Sequence, residues 1–363
     1  MASTPASSAS PTSVPKPGAP TSASVGDHLG TLRHAWHPVA VADEIGLEPS
    51  VVTLLGEDWA VWREADGTVR AFVDRCPHRL APISTASRCD DGTLRCNYHG
   101  WRFDGTGACT LIPALGAGGA IPPRARLTSA AGVAERGGLV WLAPEEPLAP
   151  LVEVDPPAGA HVGMLAPTRF TADPGNLIDN FLDVAHFPFV HAGTFGLEQS
   201  DQVDEYELRS TANGFVAATE HEFANHEDPG MKAGIRPLVQ RRRMTYKYAT
   251  PFTTTLRLYY VDAEGTNLIL FAIQPERPGP GPLASVRVFT VLLRNDVPAE
   301  ALAEAIAFEQ AVLDEDVVVQ RTLRTALPLD LTTEVHTKAD KLTIELRRCL
   351  ARFLAASAPS APS

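Results

Sequence analysis

The chain has 363 residues with 31 basic and 43 acidic side chains, a formal net charge of −12, and its length suggests two domains with room for a sizeable core. A hydrophobic content of 44% with 20% charged residues excludes wholesale disorder, and the acidic balance argues against nucleic acid or an anionic membrane as the main partner. No apolar run approaches the roughly 18–20 residues of a membrane span, the first residues lack the charged start and apolar stretch of a secretory signal, and five cysteines in a chain this long make no disulfide scaffold; a soluble, cytoplasmic protein is expected.

Residues 1–28 are almost entirely Ser, Pro, Ala, Thr and Gly, and residues 355–363 repeat that composition. Neither segment can bury enough apolar area to offset its ordering entropy, so both are predicted to be disordered tails. From about Leu32 to Leu142, short apolar runs are broken by turn residues. Val51–Leu55, Trp59–Arg63 and Val69–Val73 are predicted strands, with Ala65-Asp66-Gly67 as a hairpin turn between the last two. Trp101-Arg102-Phe103 followed by Asp104-Gly105 repeats the device, and Gly138–Leu142 closes the set. Residues 29–150 therefore read as an all-β domain, with the Pro-rich stretch Pro144–Pro157 as its boundary.

Residues 151–354 mix element types. Asn176–Val190 has the helical spacing of Leu177, Phe181 and Val184, and Pro188 should end or kink that helix. Thr253–Tyr260, Asn267–Gln274 and Ser285–Leu293 are predicted strands, and Pro298–Ala326 and Ala339–Leu354 predicted helices. The fold class is α+β, an antiparallel sheet with helices on one side. Arg241-Arg242-Arg243 reads as a solvated strand edge, with a docking patch for an acidic redox partner as the other reading. His221 and His226 read as flanking a polar surface loop.

Two Cys-His pairs stand out. Cys76-Pro77-His78 and Cys96-Asn97-Tyr98-His99 give the pattern C-x-H-x17-C-x2-H, so two tight loops can each present two ligands. A structural zinc held by two Cys and two His needs the same ligand types, but zinc fingers usually keep Cys with Cys and His with His. One Cys and one His per loop is what a two-iron cluster needs when cysteines hold one iron and histidines the other. With Gly100-Trp101 following, the stretch resembles the Rieske domain of aromatic-ring-hydroxylating and related Rieske non-haem iron oxygenases, and Trp36-His37-Pro38-Val39 and Gly138–Leu142 fit the same domain. High-potential Rieske proteins place a Ser and a Tyr two and four positions after the last His. Trp101 and Phe103 stand there in this chain and carry no hydroxyl to donate to a cluster sulfur, which predicts a potential toward the low end of the Rieske range, near about −150 mV.

A second constellation runs Asn180-x2-Asp183-x2-His186-x4-His191. Asp183 and His186 are one turn apart and would share a helix face, and a break at Pro188 could swing His191 back to the same point. Two histidines and a carboxylate form the facial triad of non-haem iron, whereas an isolated H-x4-H would sooner be two core histidines. Coupled to the Rieske motif, the pair is similar to the mononuclear iron site of the same oxygenases. The resemblance implies a third ligand from Phe308–Gln320, with Asp316 the choice, Asp314 the alternative, and the acids that do not ligate lying on a solvated helix face. It also implies that Asp183 bridges an iron histidine to a Rieske histidine of a neighbouring subunit, and that Asn180 sits beside the iron.

The resemblance implies an N-terminal Rieske [2Fe–2S] domain and a C-terminal helix-grip (START-like) domain with an antiparallel sheet. Such a chain would be a terminal oxygenase, most simply a head-to-tail homotrimer, that activates O2 to oxidise an organic, aromatic or polycyclic substrate. No G-x-G-x-x-G after a strand and no P-loop is present, so electrons from NAD(P)H would come through a separate reductase, with or without a ferredoxin. The motif spacing is similar to that of the vanillate-demethylase branch and points to monooxygenation, by hydroxylation or demethylation. The alternatives are cis-dihydroxylation and an electron-transfer or sensing protein with an inactive second domain. Phe223, Tyr246, Tyr248, Leu258 and Phe271 fit either core or pocket.

Overall fold

The structure, a computed structural model, describes residues 25–116, 118–196, 201–277, 279 and 284–356. The expected disorder of residues 1–24 and 357–363 lies outside the described residues. Regular structure reaches further toward both ends than the composition suggests. Val25–His28 forms a 3-10 helix with Val25 buried, and Ala355 and Ala356 complete the last turn of the Lys341–Ala356 helix. The reason is shared: Val25 belongs to the same apolar cluster as Leu350, Phe353 and Leu354 of that helix.

The N-terminal part is three small antiparallel sheets. One pairs His37–Val41 with Leu139–Ala143 and Gly132–Arg136, the second is the meander Ser50–Leu54, Glu57–Arg63, Val69–Val73, and the third is built from Ser87–Arg88, Leu94–Arg95, Arg102–Phe103 and Cys109–Leu111. The Ala65-Asp66-Gly67 turn forms as expected: Asp66 accepts from the Thr68 N–H at 2.9 Å, and Gly67 takes a φ of +88° that a side chain would resist. Trp62, Phe72 and Phe103 pack with Cys76 and Cys96 in one buried cluster, so the core of the small sheets also roots the Cys-His loops.

The C-terminal part is an eight-stranded antiparallel sheet. Its central strand, Gly265–Arg277, is buried on both faces, which alternation explains. Leu268, Leu270 and Ala272 join Trp141 of the N-terminal part, while Ile269, Phe271 and Ile273 join the cluster that holds the helices. The Pro174–Leu182, Leu302–Gln320 and Lys341–Ala356 helices all touch this sheet and one another's neighbours. This is the α+β, helix-on-sheet architecture expected.

Five strands of this sheet lie outside the predicted set: His161–Met164, Thr168–Thr171, Glu207–Thr211, Gly214–Ala224 and Val239–Ala249. His221 accordingly lies within a strand and not at the edge of a surface loop. In Val239–Ala249 the alternating positions Gln240, Arg242, Met244, Tyr246 and Tyr248 face inward, so Arg241 and Arg243 are exposed while Arg242 is buried, and the strand is no edge, being paired on both sides. The Leu302–Gln320 helix is also shorter than the predicted Pro298–Ala326, stopping six residues before Ala326.

The predicted Asn176–Val190 helix is two helices, Pro174–Leu182 and Phe187–Val190. The break falls at Asp183, whose backbone is extended, and Pro188 sits in the first turn of the second helix. A proline clashes with the carbonyl four residues earlier in a continuous helix, here that of Val184, so the chain breaks ahead of Pro188 and not at it. Asp183 and His186 therefore share no helix face.

Candidate metal centres

The two Cys-His loops have one backbone design. In each, the cysteine N–H bonds the carbonyl five residues on (Cys76 to Ala81, 2.8 Å; Cys96 to Trp101, 2.9 Å), and the residue four on donates back to the cysteine carbonyl (Leu80, 2.9 Å; Gly100, 3.0 Å). That fourth residue has positive φ in both loops, +59° at Leu80 and +72° at Gly100. The matched turns bury both sulfurs and leave His78 half-buried and His99 exposed. The imidazoles lie 4.4 Å apart between centroids, with His78 stacked on Trp101 at 4.7 Å.

These residues fit a two-iron cluster. The His78 Nδ1 is sealed from solvent with no hydrogen-bond partner, the condition of a nitrogen whose partner is a metal. Burial, reinforced by the Cys96 sulfur, pushes the Cys76 thiol up to about 11, so the thiolate needs a metal to form at neutral pH. The four side chains do not converge on one point as a tetrahedral zinc site requires. Among the described residues, the group of three or more whose ligand atoms all lie within 4.8 Å of one another is His186, His191 and Asp316.

That second group is drawn from the two ends of the Phe187–Val190 helix, His186 before it and His191 after it, and from the Leu302–Gln320 helix. His186 Nε2 and His191 Nε2 are 3.1 Å apart, and each is 3.4 Å from Asp316 Oδ1. Ligands about 2.1 Å from a divalent metal and at right angles to each other are about 3 Å apart, so the triangle matches three adjacent positions on one face of an ion. Asp316 Oδ1 also accepts from Asn180 Nδ2 at 2.8 Å, and Asn180 Oδ1 accepts from Gln320 Nε2 at 3.0 Å. Asp314 is not part of the group; it accepts from Gln310 on the exposed side of the helix at 3.0 Å.

Without metal, burial opposes charge on His186, but Asp183 and Asp316 together outweigh it and hold the imidazole up at about 9. Burial keeps His191 below its ordinary value despite Asp316 and Glu315. The His186 Nδ1 lies 3.6 Å from Asp183 Oδ2 and makes no hydrogen bond.

Glu315 was read as a solvated acid, and the structure corrects that. Its Oε2 is 2.9 Å from His191 Nδ1 and accepts from Thr194 Oγ1 at 2.8 Å. The carboxylate thus fixes the proton on Nδ1 and frees Nε2 for a metal. Gly193 makes room: a Cβ there would come within 2.5 Å of Glu315 Oε1. Substituting Glu315→Ala is expected to weaken ferrous iron binding at this site by about 10–100-fold. Anaerobic Fe(II) titration of the protein with an intact cluster checks this.

The three ligand candidates open onto a cleft of about 790 Å³, counting the space that communicates with solvent. Its wall is mainly apolar, with Phe187, Met244, Leu258 and Phe308, interrupted by Asn225, Arg242 and Glu309. Of the five residues that fitted core or pocket, Tyr246 and Leu258 line this cleft, and Phe223 lines a neighbouring one. Tyr248 and Phe271 are core. Among the described residues, no helix is long and apolar enough to cross a membrane.

Comparison with known proteins matches residues 35–129 to the Rieske [2Fe-2S] domain and residues 170–356 to the vanillate O-demethylase oxygenase C-terminal domain. Methylxanthine N3-demethylase NdmB of Pseudomonas putida is 28% identical over 348 residues, covering 87% of this chain and 88% of that protein. Dicamba O-demethylase, oxygenase component, of Stenotrophomonas maltophilia is 33% identical over 185 residues, or 48% of this chain and 51% of that one. Among solved structures, Pseudomonas putida NdmA with caffeine aligns with a TM-score of 0.74 at 26% identity, covering 91% of this chain and 93% of that one. Dicamba monooxygenase bound to 3,6-dichlorosalicylic acid aligns with a TM-score of 0.76 at 21% identity over 91% and 99%, a likeness of fold.

Proposed function

The chain belongs to the Rieske oxygenases whose catalytic domain is of the vanillate O-demethylase type, and from that premise we propose that it monooxygenates a small organic molecule held beside His186, His191 and Asp316, by hydroxylation or oxidative demethylation. As a terminal oxygenase component it carries a Rieske cluster and a non-haem iron and works with a separate reductase. When bound, the two groups supply one-electron delivery and activation of O2 next to the substrate.

In the proposed assignment, residues 29–150 form the cluster domain and 151–354 the catalytic domain. Cys76 and Cys96 hold one iron of the cluster, and His78 and His99 the other. His186, His191 and Asp316 hold the mononuclear iron. The observation that carries this reading is the triangle of 3.1, 3.4 and 3.4 Å opening onto a cleft. Asn180 steadies the Asp316 oxygen, Glu315 holds the tautomer of His191, and the apolar wall keeps bulk water from the reacting position. That NdmB and the dicamba enzyme are named as N- and O-demethylases supports monooxygenation as the outcome.

The assembly belongs to the same proposal: a head-to-tail homotrimer, served by the reductase directly or through a ferredoxin, in which Asp183 bridges His186 to a Rieske histidine of the neighbouring protomer. Large apolar side chains flank both centres in the open, Leu80 at 67% and Tyr98 at 65% exposure near the Cys-His loops, and Phe189 at 73% and Val318 at 65% beside the triad. Such rims suit surfaces covered by a neighbour.

The experiment is anaerobic metal and sulfide analysis of purified protein with EPR of the dithionite-reduced form. About three irons and two sulfides per chain with a Rieske-type signal are expected. About two irons with an intact cluster, even after iron supplementation, would favour a plain electron-transfer protein, and zinc without sulfide would overturn the reading.

A further inference from the structure

The cleft beside the triad carries a positive charge with which no carboxylate among the described residues pairs. Arg242 is 7% exposed, projects from the inward face of the Val239–Ala249 strand, and lines the cleft with His186, His191 and Asp316. Burying a guanidinium is costly unless a carboxylate pairs with it, and the other deeply buried arginines of this lobe follow that rule. Arg236 is held by Asp228 and Asp296, Arg294 by Asp296, and Arg347 by Asp179 and Glu334.

Arg242 departs from it. Among the described residues no carboxylate oxygen lies within 4.0 Å of its nitrogens. Its Nη2 is 3.4 Å from His221 Nε2 and 3.7 Å from Met244 Sδ, and its Nε is sealed from solvent with no partner. His221 offers no negative charge, and burial together with Arg242 itself holds that imidazole down at about 4 and so neutral. Glu309 lines the same cleft but accepts from Asn267 Nδ2 at 3.0 Å and stays outside pairing distance. The guanidinium lies 3.8 Å over the Phe223 ring, which fixes its plane and leaves its edge donors free. Two inward positions along the strand, the Tyr246 hydroxyl also lines the cleft, buried and unpartnered.

We infer that Arg242 binds a carboxylate of the substrate, so that this enzyme acts on small organic acids with an apolar body. The inference rests on the oxygenase reading above and deepens it. A single guanidinium with no carboxylate partner matches a monoanion bidentately, whereas a dianionic phosphate would bring a second negative charge into a cleft that already holds Glu309, Asp228 and Asp316. Met244, Leu258 and Phe308 receive the apolar body.

The test is calorimetric titration of the holoenzyme with benzoate, 3-methoxybenzoate and 2-naphthoate, each beside its primary amide, which keeps the shape and loses the charge. At least one acid is expected to bind about tenfold or more tighter than its amide. Arg242→Gln should bring that preference to within about threefold, and Arg242→Lys, which keeps the charge without the planar fork, should retain only part of it. Arg242→Met, an apolar side chain of similar reach, is read like Arg242→Gln should the latter not fold. No preference in any of the three pairs, or a preference that survives Arg242→Gln or Arg242→Met, would overturn the inference. Titration needs no turnover, so failure of the oxygenase reading shows separately, as absence of substrate-stimulated O2 uptake with a surrogate reductase.

Discussion

Replacing Asp183 with alanine is expected to leave about three irons per chain in place and to lower turnover by on the order of 100-fold or more. Its placement supports the proposed role between sites. Its Oδ1 accepts from the Ala185 N–H at 2.8 Å, a local turn that fixes the carboxylate in the break between the two helices. Its Oδ2 faces His186 Nδ1 at 3.6 Å, and the side chain remains 32% exposed. One edge of the carboxylate is therefore turned to an iron histidine while the group still reaches the surface where a neighbouring protomer would dock. Asp183→Asn keeps the turn and removes the charge, so it should retain the fold and lose turnover like the alanine variant. Iron content, the EPR signal of the reduced cluster and O2 uptake are measured on the same preparations. Full turnover by either variant would remove Asp183 from the bridging role.

Asp316→Ala should drop iron from about three to about two per chain with the cluster signal unchanged, because the mononuclear site would keep only its two imidazoles. Activity should fall to background. The same change at Asp314 should cost less than about twofold in activity, since that carboxylate meets Gln310 on the exposed side of the helix at 3.0 Å. The pair is informative because the two acids are two residues apart on one helix, so nonspecific damage to the helix would depress both. Iron loss in Asp314→Ala with retention in Asp316→Ala would reverse the proposed assignment.

Motifs whose chemistry depends on residue type at short spacing were the legible part of the chain. The Cys-x-His and Cys-x2-His loops announce themselves because thiolate and imidazole in that order serve few purposes, and the hairpin around Gly67 follows from a turn residue that tolerates positive φ. Legibility fell where burial depends on partners distant in sequence. Gln240-Arg241-Arg242-Arg243 alternates faces as a strand should, but charge on an inward position is tolerated there only because Phe223 and the cleft receive Arg242. Glu315 was missed for a related reason. Its partner His191 lies 124 residues away, and beside Asp314 and Asp316 it looked like one more acid on a wet face. The break at Asp183 could have been found, since Pro188 forbids a continuous helix through Val184.

The hydrogen bonds that join the triad's two segments have a consequence for how the domain holds together. Asp173, the N-cap of the Pro174–Leu182 helix, accepts from the Leu327 N–H at 3.2 Å, and Asn176 donates to the Thr325 carbonyl at 2.7 Å, respectively 154 and 149 residues apart. Asn180 and Asp316, then His191, Thr194 and Glu315, continue the seam. The seam closes a loop containing most of the eight-stranded sheet, and an ion gripped from both sides of it is a cross-link as well as a reagent. Closing so long a loop removes conformational freedom from the unfolded chain, and affinity for the ion adds to the stability of the closed state. Loss of iron would therefore slacken a clasp between the early and late halves of the catalytic domain, and the loosened chain would be the form that proteases meet first.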